Sequence, residues 1–461
     1  MRLTSPLLTD LYQLTMAQAY WQHGHTEQEA VFHLFFRNHS FKGNYTVSCG
    51  LAHVIDYLQN YQFHVDDLDY LRTLKTPKGR QRFSNEFLNY LQGLQFNCTI
   101  DAIEEGTLVF PQEPMLRVRG PILQCQLLET PLLNLINYAS LIATKAARIC
   151  QIAAGDPVIE FGLRRAHGPC GGVMASRAAY LGGCESTSNV LAGQVYNIPV
   201  KGTVAHSWIM SYSDELQAFR DFVNTYPDMS ILLVDTFDTL QGVKNAIIVG
   251  KELREQGHDL MGIRLDSGNL LELSRKSRQL LDKEGFKNTK ITASSDLDEY
   301  VIADLKANRA PIDQWGVGTR LSTAFEEPAL NGVYKIAALR NPGQSWQYKL
   351  KISDDPSKST LPGIHQVRRY FQQDAFVGDV LYDQDLGIQP ALINNADHYQ
   401  DLLTPIFQSG KLIYQQPPIH ISRQYCLSQV RDFLNSTIHD YPLAIEPKLL
   451  QLKQQVLEQV K

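Results

Sequence analysis

Three short segments of the chain combine a chemically active side chain with a nearby glycine. They are KGTVAHSW (201–208), GIRLDSG (262–268) and WGVGT (315–319). His206, in the first segment, has a side chain that can act as a nucleophile or as a proton acceptor. A histidine that caps or fills a buried turn is the plain alternative. The segments form one site only if the fold brings them together.

The segment GIRLDSG ends a short apolar run. Arg264 and Asp266 are two residues apart, so in a strand both side chains lie on the same face. The carboxylate of Asp266 could accept hydrogen bonds from two ribose hydroxyls, and Gly268 would allow a ligand to approach closely. Asp266 and Ser267 could equally cap the helix that follows.

Two further segments carry features that suit phosphate groups. Gly316, Gly318 and Thr319 form a short glycine-rich turn whose backbone N–H groups could bind a phosphate. Arg164 and Arg165 place two guanidinium groups after another apolar run, and guanidinium groups bind phosphate well. A plain turn and a solvent-exposed arginine pair are the respective alternatives.

The segment LLVDTFDT (232–239) adds two carboxylates. Asp235 is the candidate for contact with Mg²⁺ or with a hydroxyl-rich ligand. Asp238 is expected to cap the next helix. Guanidinium groups, carboxylates and a glycine-rich turn together predict a sugar-phosphate substrate.

The elements that must position these residues follow a regular order in the middle of the chain. Six short apolar runs occur there: PVIEFG (157–162), IPVKGT (198–203), ILLVDT (231–236), GIRLDS (262–267), KITASS (290–295) and QWGVGT (314–319). Helical stretches separate most of them, which is the order of a parallel sheet or a β/α barrel. Polar residues at the carboxyl ends of the runs, such as Thr203 and Ser294, would then share the mouth of the barrel.

A chain of 461 residues exceeds what one hydrophobic core usually organises. We expect an N-terminal α/β domain over residues 1–120 and a catalytic βα-barrel domain over residues 121–344. The C-terminal segment, residues 345–461, contains further strands and a closing helix, and we expect it to pack on the N-terminal domain.

Composition and charge exclude several classes of partner. Lys and Arg number 43 and Asp and Glu number 48, and the net charge of −5 is too small to indicate a nucleic-acid or membrane partner. Seven cysteines without a Cys-x-x-Cys pair are typical of reduced thiols. The chain has neither a signal-peptide pattern nor an apolar stretch of about 18 residues, so we expect a cytoplasmic protein.

Seven motifs, in this order and over nearly the whole chain, resemble those of the nicotinate phosphoribosyltransferase family. They are TDLYQLTMAQAY, EFGLRRAHGP, GGCESTSNVLAG, PVKGTVAHSW, LLVDTFDT, GIRLDSGNL and NGVYKIAAL. The resemblance implies an irregular β/α barrel of the type II phosphoribosyltransferase kind, plus an α/β sandwich domain built from N- and C-terminal segments. It also implies ATP-coupled transfer of phosphoribose from 5-phosphoribosyl 1-pyrophosphate to nicotinate. The products would be nicotinate mononucleotide, used for NAD synthesis, and pyrophosphate.

The resemblance also assigns the reaction centre. In that family ATP phosphorylates the histidine that corresponds to His206. The pyridine nitrogen of nicotinate attacks with its own lone pair and has no proton to lose, so the transfer step needs no general base. With His206, Asp235 and Asp266 at the centre, catalysis would rest on positioning and charge stabilisation. Mg²⁺, held by Asp235, would neutralise the departing pyrophosphate.

Substrate contacts are expected on two sides of this centre. Tyr12 and Phe161 would sandwich the pyridine ring, with Tyr12 supplied by the neighbouring subunit of a homodimer with shared active sites. Thr203 and Arg264 would contact nicotinate. The phosphate side is expected to include Arg165, Ser294, Gly318 and Thr319, and further substrate contacts are expected from Ser207, Gly316 and Thr323.

Other functions would need other residues. Related nicotinamide enzymes place an aspartate after the Gly-Thr pair, where this chain has Val204. A nucleotide sensor that had lost catalysis would lack His206, Arg264 or Asp266, and all three are present. A barrel aldolase or isomerase would need a lysine or paired glutamates at strand ends, and Glu160 is the candidate for that role.

The chain also departs from the family pattern in two motifs. His167 and Cys170 stand where Gln and Asp are common, and Glu185 and Ser186 stand where Asp-Gly is common. These departures bear on substrate preference and on the strength of ATP coupling.

Overall fold

The computed structural model describes residues 4–355, 358–389, 393, 396–435, 441 and 443–460. The chain divides into two compact units. The first consists of Met1–Leu141 with Ala329–Lys461, and the second of Ile142–Pro328. The units therefore divide at residues 141 and 328, whereas the sequence suggested divisions at 120 and 344.

The first stretch of the chain contains α1 (Leu11–Gln22), β1 (Glu29–Phe36), β2 (Thr46–Val47), α2 (Leu51–Gln59), α3 (Val65–Thr73), α4 (Asn85–Gln92), β3 (Thr99–Ile103), β4 (Leu108–Val109), β5 (Leu116–Pro121), α5 (Ile122–Leu127) and α6 (Glu129–Ala153). The second unit continues with β6 (Val158–Glu160), α7 (Gly168–Leu181), β7 (Ser186–Thr187), α8 (Val190–Tyr196), α9 (His206–Met210), α10 (Glu215–Thr225), β8 (Ile231–Leu233), α11 (Thr239–Glu255), β9 (Gly262–Leu265), α12 (Leu270–Lys283), β10 (Lys290–Ala293), α13 (Glu299–Ala307), β11 (Gln314–Val317) and α14 (Thr319–Ser322). Two short 3₁₀ helices lie at Leu163–Arg165 and Pro227–Met229. The chain ends with β12 (Gly332–Arg340), β13 (Gln347–Tyr348), β14 (His365–Gln372), β15 (Ala375–Asp383), β16 (His398–Asp401), β17 (Leu403–Gln408), β18 (Lys411–Leu412), α15 (Ile419–Asn435), β19 (Leu443–Ile445) and α16 (Pro447–Val460).

The first unit is built from both ends of the chain. Its seven-stranded sheet has the order β13-β12-β1-β5-β3-β17-β18, and β1 pairs antiparallel with β12. Seven of the eight residues of β1 are buried, because this apolar strand is covered on both faces of the sheet. The unit also contains a four-stranded sheet in the order β16-β14-β15-β19 and a two-stranded sheet of β2 and β4. The predicted α/β sandwich of N- and C-terminal segments is confirmed.

The second unit is a parallel β/α structure. Its six strands have the order β7-β6-β11-β10-β9-β8 and are short and almost fully buried. Within residues 142–328, all of which are described, no pairing joins β7 to β8, so the predicted barrel is irregular. No helix in the described part of the chain has both the length and the apolar character to cross a bilayer.

One of the six strand predictions was wrong. Residues 198–203 form only an isolated parallel bridge, between Val200 and Thr187. Pro199 has no N–H to donate, and Lys201 and Gly202 are exposed, so the run does not extend into a ladder. The sixth strand of the sheet is instead the two-residue β7, which lies at the edge beside β6.

The helix caps test two predictions, one about Asp238 and one about Asp266. Asp238 accepts the backbone N–H of Gln241 at 2.7 Å and caps α11, as predicted. The cap of α12 is Asn269, which accepts the N–H of Glu272 at 3.2 Å. The alternative role of Asp266 as a helix cap is therefore wrong, and its carboxylate is available to a site.

Candidate active site

A cavity of about 370 Å³ lies at the carboxyl ends of β6, β8 and β9. It is lined by Phe161, Arg164, Ser188, Gly202, Thr203, Val204, Ala205, His206, Leu233, Arg264 and Asp266. The segments KGTVAHSW and GIRLDSG, which are about 60 residues apart in sequence, therefore meet at one mouth of the sheet, where β/α folds bind ligands.

Arg264 is held rigidly at the base of this cavity. Its guanidinium donates to Ser294 Oγ at 2.8 Å, to Thr203 Oγ1 at 3.0 Å and to Asp266 Oδ1 at 2.7 Å. An arginine has five N–H groups, so these partners leave two for a ligand. The carbon of the guanidinium lies 5.3 Å from the centre of the Phe161 ring. A flat ring that carries a carboxylate would suit this arrangement.

Asp266 is held in its ionised form. Burial opposes ionisation, but hydrogen bonds from Ser294 and Arg264, together with the charge of Arg264, outweigh burial and lower the pKa of Asp266. The carboxylate therefore stays negative at neutral pH, with a quarter of its side chain exposed.

Asp235 follows β8 and holds the loop after β9. Its Oδ2 accepts from the backbone N–H of Asp266 at 2.9 Å and from Ser267 Oγ at 2.6 Å. Its Oδ1 is buried and has no hydrogen-bond partner among the residues that the structure describes. A buried, unpaired carboxylate oxygen is unfavourable unless a ligand or cation meets it.

His206 lies between two oxygen atoms. Its Nδ1 is 3.1 Å from Thr236 Oγ1, and its Nε2 is 3.5 Å from Asp266 Oδ2. About two-fifths of the side chain is exposed to the cavity side. His206 is therefore neither a core residue nor a helix cap, which removes the plain alternative for it. Sequence reasoning missed Thr236, although it directly follows Asp235 at the end of a predicted strand.

Glu160 has a structural role. Its two carboxylate oxygens accept hydrogen bonds from Ser176 Oγ at 2.8 Å, from Thr187 Oγ1 at 2.6 Å and from the backbone N–H of Gly162. The residue is 1% exposed. These contacts join β6, β7 and α7, and the aldolase or isomerase alternative loses its candidate catalytic group.

Comparison with known proteins now identifies the family. The model of the nicotinate phosphoribosyltransferase (NAPRTase) N-terminal domain matches residues 7–137, and that of the NAPRTase family matches residues 158–377. Together they span most of the chain. The chain belongs to the nicotinate phosphoribosyltransferase family. The prediction made from its motifs is confirmed.

Individual proteins named as nicotinate phosphoribosyltransferases are similar to this chain over nearly their full length. Nicotinate phosphoribosyltransferase of Bacillus subtilis is 42% identical, with 96% of this chain and 91% of the relative covered. A Mycobacterium tuberculosis relative of the same name is 40% identical, with coverages of 96% and 92%. The crystal structure of human nicotinic acid phosphoribosyltransferase superposes with a TM-score of 0.85 at 29% identity, covering 97% of this chain and 99% of that one.

The residues expected on the phosphate side lie on three segments, of which the one that carries Ser294 follows β10. Arg165 ends a 3₁₀ helix and is exposed, like Arg164, and neither forms an ion pair with any residue that the structure describes. Gly318 precedes α14, which begins at Thr319. The hydroxyl of Thr323 donates to the carbonyl of Thr319 at 2.7 Å, within the same turn.

Three other expected contacts have different surroundings. A Cβ on Gly316 would lie 2.7 Å from two ring carbons of Phe161, so this glycine makes room for the ring. Ser207 is exposed in the first turn of α9. Tyr12 belongs to the first unit, where it lies on α1 and is half exposed. The roles expected of these three residues as substrate contacts remain predictions.

The departures from the nicotinate phosphoribosyltransferase pattern lie in two places. His167 and Cys170 are exposed at the start of α7, a few residues beyond Arg164. Glu185 precedes β7, at the end of the sheet opposite the cavity, and pairs with Lys201 at 2.9 Å. Lys201 directly precedes Gly202, which lines the cavity, so this departure forms an ion pair with the segment that carries His206.

Proposed function

We propose that this chain transfers phosphoribose from 5-phosphoribosyl 1-pyrophosphate to nicotinate, with ATP hydrolysis, to give nicotinate mononucleotide for NAD synthesis. The arrangement of Arg264 carries the proposal. Its two remaining N–H groups suit a carboxylate, and the Phe161 ring beside it suits an aromatic ring. Val204, which lines the cavity, has no side-chain acceptor for the amide N–H of nicotinamide. Nicotinate, rather than nicotinamide, is therefore the preferred pyridine substrate.

The transfer step needs stabilisation of positive charge. As the bond between ribose and pyrophosphate breaks, the ribose carbon becomes cationic while the pyridine nitrogen approaches with its lone pair. Asp266 is ionised and fixed by Ser294 and Arg264, so its charge is preorganised to stabilise that cation. Because no proton leaves nicotinate, none of these residues acts as a base at this step.

His206 is the residue that couples ATP to the transfer. One ring nitrogen attacks the γ-phosphorus of ATP, a nitrogen–phosphorus bond forms, and ADP leaves. Later attack by water releases phosphate and restores the histidine. The ring has the exposure that this role requires, and Thr236 and Asp266 lie at its two nitrogens.

Asp235 is the residue that would hold Mg²⁺. Its Oδ1 is buried without a described partner, and Mg²⁺ commonly takes one or two protein carboxylates and completes its shell with phosphates and water. The described residues contain no group of three or more His, Cys, Asp or Glu that could hold a metal by themselves. When bound, Mg²⁺ would offset the negative charge of the leaving pyrophosphate.

The remaining substrate contacts are assigned by motif. Arg165, Ser207, Ser294, Gly316, Gly318, Thr319 and Thr323 would serve the ribose and phosphate groups. Arg164 and Arg165 are exposed and form no ion pair within the described ranges of the chain, which supports a polyanionic ligand. Cytoplasmic localisation is proposed from the cysteine usage of the sequence.

Tyr12 would complete the pyridine site from a second copy in a homodimer. Its half-exposed ring on α1 is available for such a contact. Mixing inactive Tyr12→Ala subunits with inactive Asp266→Ala subunits tests this arrangement. Recovery of part of the activity would support shared sites, and a mixture as inactive as its components would count against them.

The experiment that tests the whole proposal uses the purified protein with nicotinate, 5-phosphoribosyl 1-pyrophosphate and Mg²⁺. Nicotinate mononucleotide is measured with and without ATP, and a parallel reaction contains nicotinamide. We expect product from nicotinate, increased by ATP, and little from nicotinamide. His206→Ala should keep slow transfer that ATP no longer accelerates. Absence of product from both bases would contradict the proposal and favour a nucleotide sensor.

A further inference from the structure

The loops after β10 and β11 carry Ser294 and the pair Gly318–Thr319, which are assigned to the phosphate side. The two strands are hydrogen-bonded neighbours. In the first loop, Ser295 and Asp296 have φ values of +86° and +25°. Non-glycine residues adopt such φ values only with strain, so surrounding contacts must hold the loop in this shape.

Lys145, on α6, joins the far ends of these two loops. Its Nζ lies 2.6 Å from Oε2 of Glu299, the first residue of α13, and 2.6 Å from Oε2 of Glu326, which follows α14. The lysine side chain is 0% exposed. Burial opposes ionisation of Glu326, but the hydrogen bond and charge of Lys145 outweigh it and lower the pKa of that carboxyl. One enclosed cation thus binds a carboxylate at the start of α13, directly after the first loop, and a carboxylate beyond α14, after the second loop.

Two arginines extend the same network. Arg148, one turn along α6, donates to Glu299 Oε1 at 3.0 Å. Arg320, in α14, lies 3.6 Å from Asp298 and 3.4 Å from Glu326. Glu299 and Glu326 are therefore each held by two cations, and Asp298 by one, and all three carboxylates lie in or after one of the two loops. The network has the position needed to set the separation of the loops.

We infer that Lys145 is a positioning residue for 5-phosphoribosyl 1-pyrophosphate, because its ammonium group fixes the loop of Ser294 relative to the loop of Gly318–Thr319. It acts through Glu299 and Glu326 and need not touch the substrate. The inference rests on the proposed function, which assigns both loops to the phosphate side. It adds that Lys145, which lies outside all seven sequence motifs, governs the affinity for 5-phosphoribosyl 1-pyrophosphate and not the affinity for nicotinate.

The test replaces Lys145 with methionine, which keeps much of the side-chain volume and removes the charge. We expect the KM for 5-phosphoribosyl 1-pyrophosphate to rise about tenfold or more, because small displacements of binding groups have large effects. The KM for nicotinate should stay within about twofold, because Arg264, although it donates to Ser294, is also held by Thr203 and Asp266 outside the network. A purely structural role would lower the amount of folded enzyme without separating the two KM values.

Lys306→Met is the matched control. Lys306 lies in the last turn of α13, where its Nζ contacts Asp156 Oδ2 at 2.7 Å and the carbonyl of Ala153 at 2.6 Å. Asp156 precedes β6, so this lysine ties α13 at the amino ends of the strands. We expect Lys306→Met to lose stability while both KM values remain at the wild-type level.

A second variant covers the case in which Lys145→Met does not fold. Glu326→Gln keeps the pair of Lys145 with Glu299 and the contact of Arg320 with Asp298, but it removes the ion pair by which Lys145 reaches the second loop, and it should raise the same KM. Wild-type KM values in the folded variants, or an equal rise for both substrates, would overturn the inference. If the wild-type enzyme makes no nicotinate mononucleotide, the proposed function fails by itself. Calorimetric binding of inorganic pyrophosphate to wild type and variants then tests the role of Lys145 directly.

Discussion

One arginine–aspartate pair of the first unit and one of the second are built differently. In the first unit, Arg369 donates to both oxygens of Asp379, at 2.9 and 2.7 Å, and neither side chain is more than 1% exposed. In the second, Arg264 gives Asp266 a single N–H at 2.7 Å, and the side chains are 10% and 24% exposed. The first pair is closed to solvent, whereas the second opens on a cavity.

The surroundings of the two arginines explain the difference. The Arg369 guanidinium lies 4.8 to 5.7 Å from the ring centres of Phe110, Phe376 and Tyr441, and the Tyr441 hydroxyl donates to Asp379 at 2.8 Å. Arg264 keeps two N–H groups beyond those that its protein partners use, and it lines a cavity. The Nη1 of Arg369 also has no hydrogen-bond partner among the described residues, but that group is buried. The same ion pair therefore supports packing where aromatic rings enclose it, and ligand binding where the unused donors face a cavity. A buried arginine alone does not distinguish these roles.

Removing the enclosed arginine should have the largest effect on stability. Arg369→Met leaves the carboxylate of Asp379 buried without its partner, and we expect the free energy of unfolding to fall by about 4 kcal/mol. Urea denaturation measures this, and the KM values of the folded enzyme should not change. The double variant with Asp379→Leu should recover most of the loss, since an apolar pair can replace a buried ion pair. A loss below about 1 kcal/mol in the single variant would contradict the comparison.

Removing the arginine at the cavity should instead impair function. Arg264→Ala should lower kcat/KM for nicotinate at least about a hundredfold, which is about 3 kcal/mol, chiefly through KM, because charged hydrogen bonds to the carboxylate are lost. Arg264→Lys should retain part of the activity, since it keeps the charge but not the two parallel donors. An unchanged KM for nicotinate in Arg264→Ala would remove this residue from the binding site.

Sequence patterns predicted the parts of the site that local geometry determines. Arg264 and Asp266 share a face because strand residues alternate, and Asp238 caps a helix because aspartate satisfies the first N–H groups. Parallel topology then requires the carboxyl ends of β6, β8 and β9 to meet. These rules bring Asp235 and Asp266 together, but they do not place His206, because the run before it forms only an isolated bridge.

Other features depend on contacts that no local pattern records. Lys145 pairs with Glu299 and Glu326, which lie more than 150 residues away, so its role is not visible in the sequence. The prediction of a strand at 198–203 was wrong because the apolar character of a segment does not show whether it will form hydrogen bonds with a neighbouring strand. Thr236 could have been found, since every residue after a strand end in this fold is a candidate for the cavity.

The buried histidines of the first unit extend the comparison to pH. His33 and His365 stack with ring centres 4.3 Å apart, and burial lowers the pKa of His365 to about 4 and that of His33 well below its usual value. The unfolded chain binds protons below about pH 6.5 while the folded chain does not, so stability falls as pH falls. For His365 alone we expect a loss of about 2 kcal/mol between pH 7.5 and 5.

His365→Gln tests this expectation. Glutamine can still donate to the carbonyl of Pro362, which His365 Nε2 contacts at 3.1 Å, but it does not titrate. The free energy of unfolding of the variant should therefore depend less steeply on pH between 6.5 and 5. If wild type and variant have the same pH dependence, His365 is not held neutral by burial.

His206, in the second unit, is about two-fifths exposed, so a hydrogen bond rather than burial must orient its ring. The Nδ1 of His206 is 3.1 Å from the hydroxyl of Thr236. Thr236→Val keeps the shape and removes that contact, and we expect the acceleration of nicotinate mononucleotide synthesis by ATP to fall about tenfold, which corresponds to about 1.4 kcal/mol.

Thr236→Ser is the control for this prediction, because it retains the hydroxyl and should keep most of the acceleration. The rate without ATP should be similar in both variants, because the transfer step uses Asp266 and not the histidine. Equal acceleration in the valine and serine variants would mean that His206 is oriented by Asp266 alone, and the contrast between an enclosed and a hydrogen-bonded histidine would then fail.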